Sequence, residues 1–337
     1  MKMKEKRILF ACPNDVNITE VFINNLEKSG YNLYFVPIIK FKYPSFKYRF
    51  KNFLLKTFLN DYSYKGKLAN ELRADFFNKK INDFGYKYFD YALFIRPDLY
   101  PLEKIIKNVR YVSKKSIAYQ WDGLNRYPNI FKIISYFDKF YVFQKKDFFN
   151  YRKKYPNLYF TQNFYSDTLN VSTMDKTIDI FYIGSYFQNR LDKIKYLYDK
   201  LKSAHLKMKI VFYIGRGKSK KYNYKYNEMG ISFIEDPINY NIINSELNSV
   251  KVLLDFCASA HEGLSLRFFE AIKFKIKIIT DNPAVKEYDF YNPQNVFILG
   301  QDNILKLKDF IYSAYAPLEK NIYEKYSFKN WITELLK

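Results

Sequence analysis

Two carboxylates, Glu262 and Glu270, flank a small-residue turn in the run S-A-H-E-G-L-S-L-R-F-F-E-A, residues 259–271, and seven residues separate them. Gly263 and Ser265 follow the first Glu, where a loop turns into a helix. Ser265 is placed to accept a hydrogen bond from one of the helix's first free amides. Those amides and the helix dipole make the turn an anion site, most naturally for a phosphate. Glu270 then lies at most ~12 Å further along the helical rise. One carboxylate reaches the near end of a ligand and the other reaches hydroxyls at its far end. A sugar, a pyrophosphate and a ribose in a row, a nucleotide-sugar, have that outline. A Glu pair at this spacing also arises by chance on an ordinary helix, so the elements around it decide its meaning.

Those elements form a strand–turn–helix–strand unit. An apolar stretch, 250–256, precedes the turn and another, 276–280, follows the helix. The same alternation runs through the chain. In the first half, strands are expected at 7–12, 31–37, 91–95, 115–120, 140–143 and 158–161, with helices at 19–29, 48–59, 71–84, 101–108 and 145–155. In the second half, strands are expected at 178–183, 208–214, 231–234 and 296–299 beside the two already named. Residues 218–227 read as a basic, Tyr-rich turn, and 323–336 as one helix. A polar stretch, 163–176, reads as a linker. At 337 residues the chain exceeds one usual core, so two α/β domains are expected, 1–165 and 166–318, with 319–337 as a C-terminal helical segment. The first βα turn lacks G-x-G-x-x-G, which argues against an ordinary dinucleotide site there.

The run 262–271 resembles the Glu-seven-residues-Glu element of retaining glycosyltransferases of the GT-B fold. The pattern there is Glu-Gly-Phe-Gly, four residues, then Glu-Ala. Here it is Glu262, Gly263, Leu264, Ser265, four residues, then Glu270 and Ala271, with Leu264 in place of Phe and Ser265 in place of Gly. The resemblance implies two Rossmann-like domains facing across a cleft, the terminal helix crossing back to the first. It gives Glu262 the transferred sugar, Glu270 the ribose hydroxyls, and the amides of Gly263, Leu264 and Ser265 the sugar and pyrophosphate. Gly184 and Ser185 stand where the family often has Gly-Arg, leaving Arg190 as the nearest arginine for the pyrophosphate. Gly215 and Arg216 end another strand, and Glu235 and Asp236 mark the loop near the nucleotide base. His261 either touches sugar or phosphate or is a plain hydrogen-bonding neighbour of Glu262. On the first domain, Asp122 sits at a strand end where an acceptor arrives, with Trp121, Arg126 and Asp15; as a bland alternative, Asp122 caps a turn.

Composition narrows the partners. The net charge of +22 attracts polyanions and phosphorylated small molecules alike. Residues 41–67 interleave basic and aromatic side chains. They read as a helix on an anionic membrane surface, as a stacking platform for single-stranded nucleic acid, or as a helix packed on its own domain. No recognised nucleic-acid motif is present, so no specific nucleic acid is expected. The two Cys, Cys12 and Cys257, and the two His, His205 and His261, suggest neither a disulfide framework nor a zinc site. Together with the absence of Asp-x-Asp, this leads us to expect no metal and no cofactor beyond the nucleotide-sugar substrate. The apolar run 8–12 is too short for a signal peptide, and no stretch approaches a spanning helix. The expected location is cytoplasmic, peripheral on the inner face of the membrane.

The expected activity is sugar transfer from a nucleotide-sugar to a saccharide or lipid-linked acceptor, in lipopolysaccharide or capsule synthesis, retaining and metal-independent. Two alternatives stand beside it: a non-catalytic basic nucleic-acid-binding protein, and an inverting transferase with Asp122 or Asp15 as base.

Overall fold

The computed structural model describes residues 5–14, 18–172, 175–257 and 263–337. Asp15, His261 and Glu262 therefore lie outside the described residues. The chain divides into two units. The first comprises residues 1–161 and 332–337, the second 162–331.

The first unit runs β1 (Arg7–Cys12), α1 (Ile18–Lys28), β2 (Asn32–Pro37), α2 (Phe46–Leu59), α3 (Tyr64–Ile81), β3 (Phe89–Ile95), α4 (Leu102–Val112), β4 (Ser113–Gln120), β5 (Lys139–Val142), α5 (Lys145–Tyr151) and β6 (Leu158–Phe160). Its six strands are parallel in the order β2-β1-β3-β4-β5-β6. Strands covered on both faces read as unbroken apolar runs rather than alternating ones, and Ile8 to Cys12 are fully buried. In α4 the helical period does the same work: Leu102, Ile105, Ile106, Val109 and Val112 are the buried stripe. The chain's last residues group with this unit, where Tyr141 Oη donates to the Leu335 carbonyl at 3.2 Å and Lys115 Nζ to the Lys337 carbonyl at 3.2 Å.

The second unit runs β7 (Ile178–Ser185), α6 (Gln188–Leu201), β8 (Met208–Tyr213), α7 (Ser219–Tyr226), β9 (Ile231–Ile234), α8 (Tyr240–Leu247), β10 (Val250–Asp255), α9 (Leu266–Phe274), β11 (Lys277–Thr280), β12 (Val296–Ile298), α10 (Leu307–Tyr312), α11 (Lys320–Lys325) and α12 (Phe328–Leu335), the last entering the first unit at Ile332. Its six strands are also parallel, in the order β12-β11-β10-β7-β8-β9. Successive residues of a strand serve opposite faces. Ile180, Tyr182, Val252 and Leu254 pack with α6, and Phe181 and Leu253 pack with Phe268 and Phe269 of α9.

Three expectations need correction. Residues 219–226 are a helix, α7, not a turn; its sequence hides this because Tyr226 is its only buried side chain. The helix expected at 323–336 is two, α11 and α12. They part at Tyr326 and Ser327, where Tyr326 Oη donates to Asp289 and Ser327 bridges to Tyr165. Helix α3 begins at Tyr64, not at 71, because its first turns are largely exposed and carry no apolar stripe. Among the described residues, no helix is long and apolar enough to cross a membrane.

Candidate functional site

The strand order of the second sheet creates one special place. From β7 the chain builds outward through β8 and β9, then returns to the other side of β7 for β10, β11 and β12. The loops leaving β7 and β10 thus run in opposite directions. In open α/β sheets, ligands bind in the crevice at the carboxyl ends of such a strand pair.

Arg267, in the first turn of α9, ties these two strand ends together. Its Nη2 donates to the Ile183 carbonyl of β7, and its Nη1 lies 3.2 Å from Asp255 Oδ1 at the end of β10. Ser265 joins the same cluster. Its Oγ accepts from the Arg267 amide at 3.2 Å, which caps the helix, and donates to Asp255 Oδ1 at 2.7 Å. Ser265 has φ −68°, a value any residue adopts, so a side chain stands without strain where the resembling pattern has glycine. Leu264 is buried in the core, its carbonyl accepts from Asn163 Nδ2 at 2.9 Å, and its amide is engaged by the Tyr288 phenol. Gly263 is half-buried immediately before it.

Glu270 lies one helical turn beyond Arg267 and is buried. Burial pushes its carboxyl above the ordinary glutamate value, while a hydrogen bond from Tyr240 and the nearby Arg267 charge pull the other way. Tyr240 Oη donates to Glu270 Oε1 at 2.7 Å, and burial with the adjacent carboxylate lifts the phenol well above its ordinary value. Tyr240 opens α8 directly after the loop that carries Asp236. The pair therefore fixes that loop against α9.

The other expected donor residues sit on the same carboxyl edge. Gly184 is required there by close approach: a Cβ would lie 2.7 Å from Tyr182 Oη and 3.2 Å from Arg267 Nη2. Arg190, in the first turn of α6, folds back so that Nη1 lies 3.4 Å from the Ser185 carbonyl and its guanidinium covers the Phe187 ring at 5.0 Å. Gly215 and Arg216 are exposed after β8, and Asp236 is exposed after β9. Glu235 is engaged by the protein itself. One carboxylate oxygen accepts from the Gly217 amide at 2.9 Å, the Ser219 amide at 3.2 Å and Ser219 Oγ at 2.7 Å. Those bonds, from Ser219 first, hold it below the ordinary glutamate value. Its place is as an anchor for the β8–α7 turn.

In the first unit, Asp122 is a partner of arginines. Arg96 Nη1 lies 2.7 Å from its Oδ2 and Arg126 Nη1 3.2 Å from its Oδ1. Arg96 also clamps Asp98 through two 2.8 Å bonds and faces the Tyr127 ring at 4.6 Å. Each carboxylate oxygen of Asp122 thus already accepts from a guanidinium. Trp121 packs against Phe22 of α1, with ring centroids 6.3 Å apart. Arg126 borders a cavity of about 490 Å³ whose walls include Tyr127, Lys132, Tyr100 and Asp98.

Sequence reasoning missed Arg267, Asp255 and Tyr240 as site members, and also Lys193 and Asp281. Lys193 pairs with Asp281 Oδ2, whose Oδ1 accepts from the Cys257 amide at 2.8 Å. Burial, Asp281 and Asp255 push the Cys257 thiol up to about 12, with Lys193 and Arg190 opposing. The signal for Arg267 and Asp255 lay inside the run 250–271, as a charge at a strand end and another in a helix's first turn. What was invisible was that they meet.

No protein-family model matches the chain, and no curated protein matches it in sequence. Solved structures match it in fold. UDP-GlcNAc 2-epimerase from Neisseria meningitidis, bound to UDP-GlcNAc, superposes with a TM-score of 0.56 at 10% identity, over 98% of this chain and 99% of that one. The glycosylation-associated protein complex from Streptococcus agalactiae gives 0.51 at 14% identity, over 79% of this chain and 54% of that one. Accessory secretory protein 1, 2 and 3 of Streptococcus pneumoniae gives 0.50 at 10% identity, over 80% and 54%. The chain thus spans about half the length of the streptococcal chains it matches. The likeness is one of fold: two Rossmann-like α/β domains of the GT-B type, as the resemblance at 262–271 implied.

Proposed function

We propose that the chain is a glycosyltransferase that takes a sugar from a nucleotide-sugar held on the carboxyl edge of the second sheet. The observation that carries this is the start of α9. There a capped helix N-terminus, Arg267 and the buried Glu270 all gather at the switch point between β7 and β10. In this reading Glu270 holds the ribose hydroxyls, with Tyr240 orienting its carboxylate. The amides of Gly263 and Ser265, with Arg190 and Arg216, hold the pyrophosphate. Departure of the nucleotide leaves negative charge on the diphosphate, and fixed amides and cations stabilise that charge as it forms. Glu262 and His261 attend the sugar, and transfer proceeds with retention and without a metal. The acceptor, a saccharide or lipid-linked saccharide of a lipopolysaccharide or capsule, is met by the first unit near Asp122, Arg126, Trp121 and Asp15. The work is done at the cytoplasmic face of the membrane.

A thermal-shift panel of UDP, GDP, ADP and CMP with their sugars tests this. One nucleotide series should raise the melting temperature of the parent, by mass action, and fail to raise that of Glu270→Ala. A panel in which no member shifts the parent, or all shift both proteins equally, speaks against it.

The match along the full chain to an epimerase bound to UDP-GlcNAc favours a second reading, in which the same edge epimerises a nucleotide-sugar. Incubation with UDP-GlcNAc and no acceptor separates the two. An epimerase accumulates sugar inverted at C2, visible by NMR, whereas a transferase does not.

A further inference from the structure

Helix α2 leaves most of its large apolar side chains exposed. Its one buried side chain is the amide of Asn52, 8% exposed, whose Oδ1 finds no partner among the described residues. Its large apolar groups face out, with Phe46 at 75% and Phe58 at 73% exposure and Phe50, Phe53 and Leu54 exposed between them. On a period of 3.6 residues, Phe46, Phe50 and Phe53 form one line with Leu54 beside it, Phe58 lies further round beyond Leu54, and the exposed Tyr48 and Leu59 fall on the side of Asn52. The rings stack in sequence, Phe46 on Phe50 at 6.1 Å and Phe50 on Phe53 at 6.4 Å. An apolar face of this size on the outside of a folded unit marks an interaction surface.

Charge selects the occupant. Lys47 and Lys51 border the aromatic line on one side, and Arg49 and Lys56 on the other. No acidic residue occurs between Glu27 and Asp61. A second copy of the same face would bring these cations together, which is repulsive. A lipid surface carrying anionic headgroups satisfies both halves of the helix: rings enter the boundary between headgroups and acyl chains, while the flanking cations remain among the headgroups.

We propose that α2 docks the protein on an anionic membrane surface, lying in its plane with Phe46, Phe50 and Phe53 inserted. The docking rests on α2 alone and holds whether or not the second unit transfers sugar.

Flotation with vesicles tests it. The full chain should float with vesicles of phosphatidylglycerol and phosphatidylcholine in equal parts, should not float with phosphatidylcholine alone, and should release in high salt. Phe46→Ser/Phe50→Ser/Phe53→Ser should lose at least about tenfold in vesicle affinity, because three inserted rings are removed. Its thermal melt should remain that of the parent, since those rings are exposed. Lys47→Gln/Arg49→Gln/Lys51→Gln should abolish the preference for anionic vesicles. Unchanged flotation of the aromatic variant overturns the proposal. So does failure of the parent to float, whether accompanied by a concentration-dependent dimer that the aromatic variant abolishes or by tight binding of a single-stranded oligonucleotide. The nucleotide-dependent thermal shift of the parent and the aromatic variant reports on the second unit separately.

Discussion

Tyr240 and Glu270 share a 2.7 Å hydrogen bond between the start of α8 and the middle of α9, although 30 positions separate them in the chain. The phenol is a donor that a buried carboxylate needs, and it fixes which way that carboxylate points. Tyr240→Phe should therefore both destabilise the fold, by leaving the buried carboxyl without its donor, and weaken nucleotide binding, each by roughly 1–3 kcal/mol. Titration calorimetry with the nucleotide found in the thermal-shift panel measures the binding. Unchanged affinity would remove Tyr240 from the site.

Glu270 should also leave a signature in the dependence of stability on pH. Its carboxyl is raised in the folded chain, chiefly by burial. Below the ordinary glutamate range both states are protonated and the contribution of the group is complete. As pH rises above about 4.5, the unfolded chain releases its proton first, so stability is lost until the folded group titrates too. Glu270→Gln removes that slope. Relative to the parent, the variant should gain stability steadily as pH climbs from that value, read as urea midpoints across a pH series. A relative loss over the same interval would mean that the carboxylate form is the favoured one.

The Arg267–Asp255 pair should prove costly to break. Arg267→Ala leaves Asp255, buried at the end of β10, with Ser265 Oγ but no cation. The expected loss is roughly 2–4 kcal/mol, somewhat below that of a fully dry pair because a quarter of the Arg267 side chain reaches water. Urea denaturation measures it. A loss within about 0.5 kcal/mol, as for an ordinary surface substitution, would show that the two strand ends do not depend on this tie.

How much of this was legible beforehand depends on whether the information was local. The strands were readable because parallel strands buried on both faces must be apolar throughout, as Ile8 to Cys12 and Val252 to Leu254 are. The start of α9 was readable because a serine before an apolar helix can cap it, and Ser265 does. Helix α7 was not, since Lys220, Lys221, Asn223 and Lys225 present no apolar period. Arg267 carries no local mark that sets it apart from any other helix cation. Its partners, Asp255 and Ile183, are brought to it only by β10 returning beside β7, and no local pattern encodes that neighbourhood.

Ser265 separates capping from pattern. Ser265→Ala removes both the cap and the bond to Asp255 and should cost about 1–2 kcal/mol. Ser265→Gly, which restores the residue of the resembling motif, tolerates the cap position better but still loses the Asp255 bond, so its loss should be smaller. Thermal melts of the two variants rank them. A glycine variant less stable than the alanine variant would contradict the capping account.

The claim on which the rest depends is that the α9 start grips an activated sugar. It is tested most directly by assaying Glu262→Ala and Glu270→Ala side by side, for nucleotide affinity and for turnover of the matched nucleotide-sugar with acceptor extract. The account predicts that Glu270→Ala loses nucleotide affinity, while Glu262→Ala keeps it and loses turnover. Near-parental affinity and turnover in both variants would contradict it.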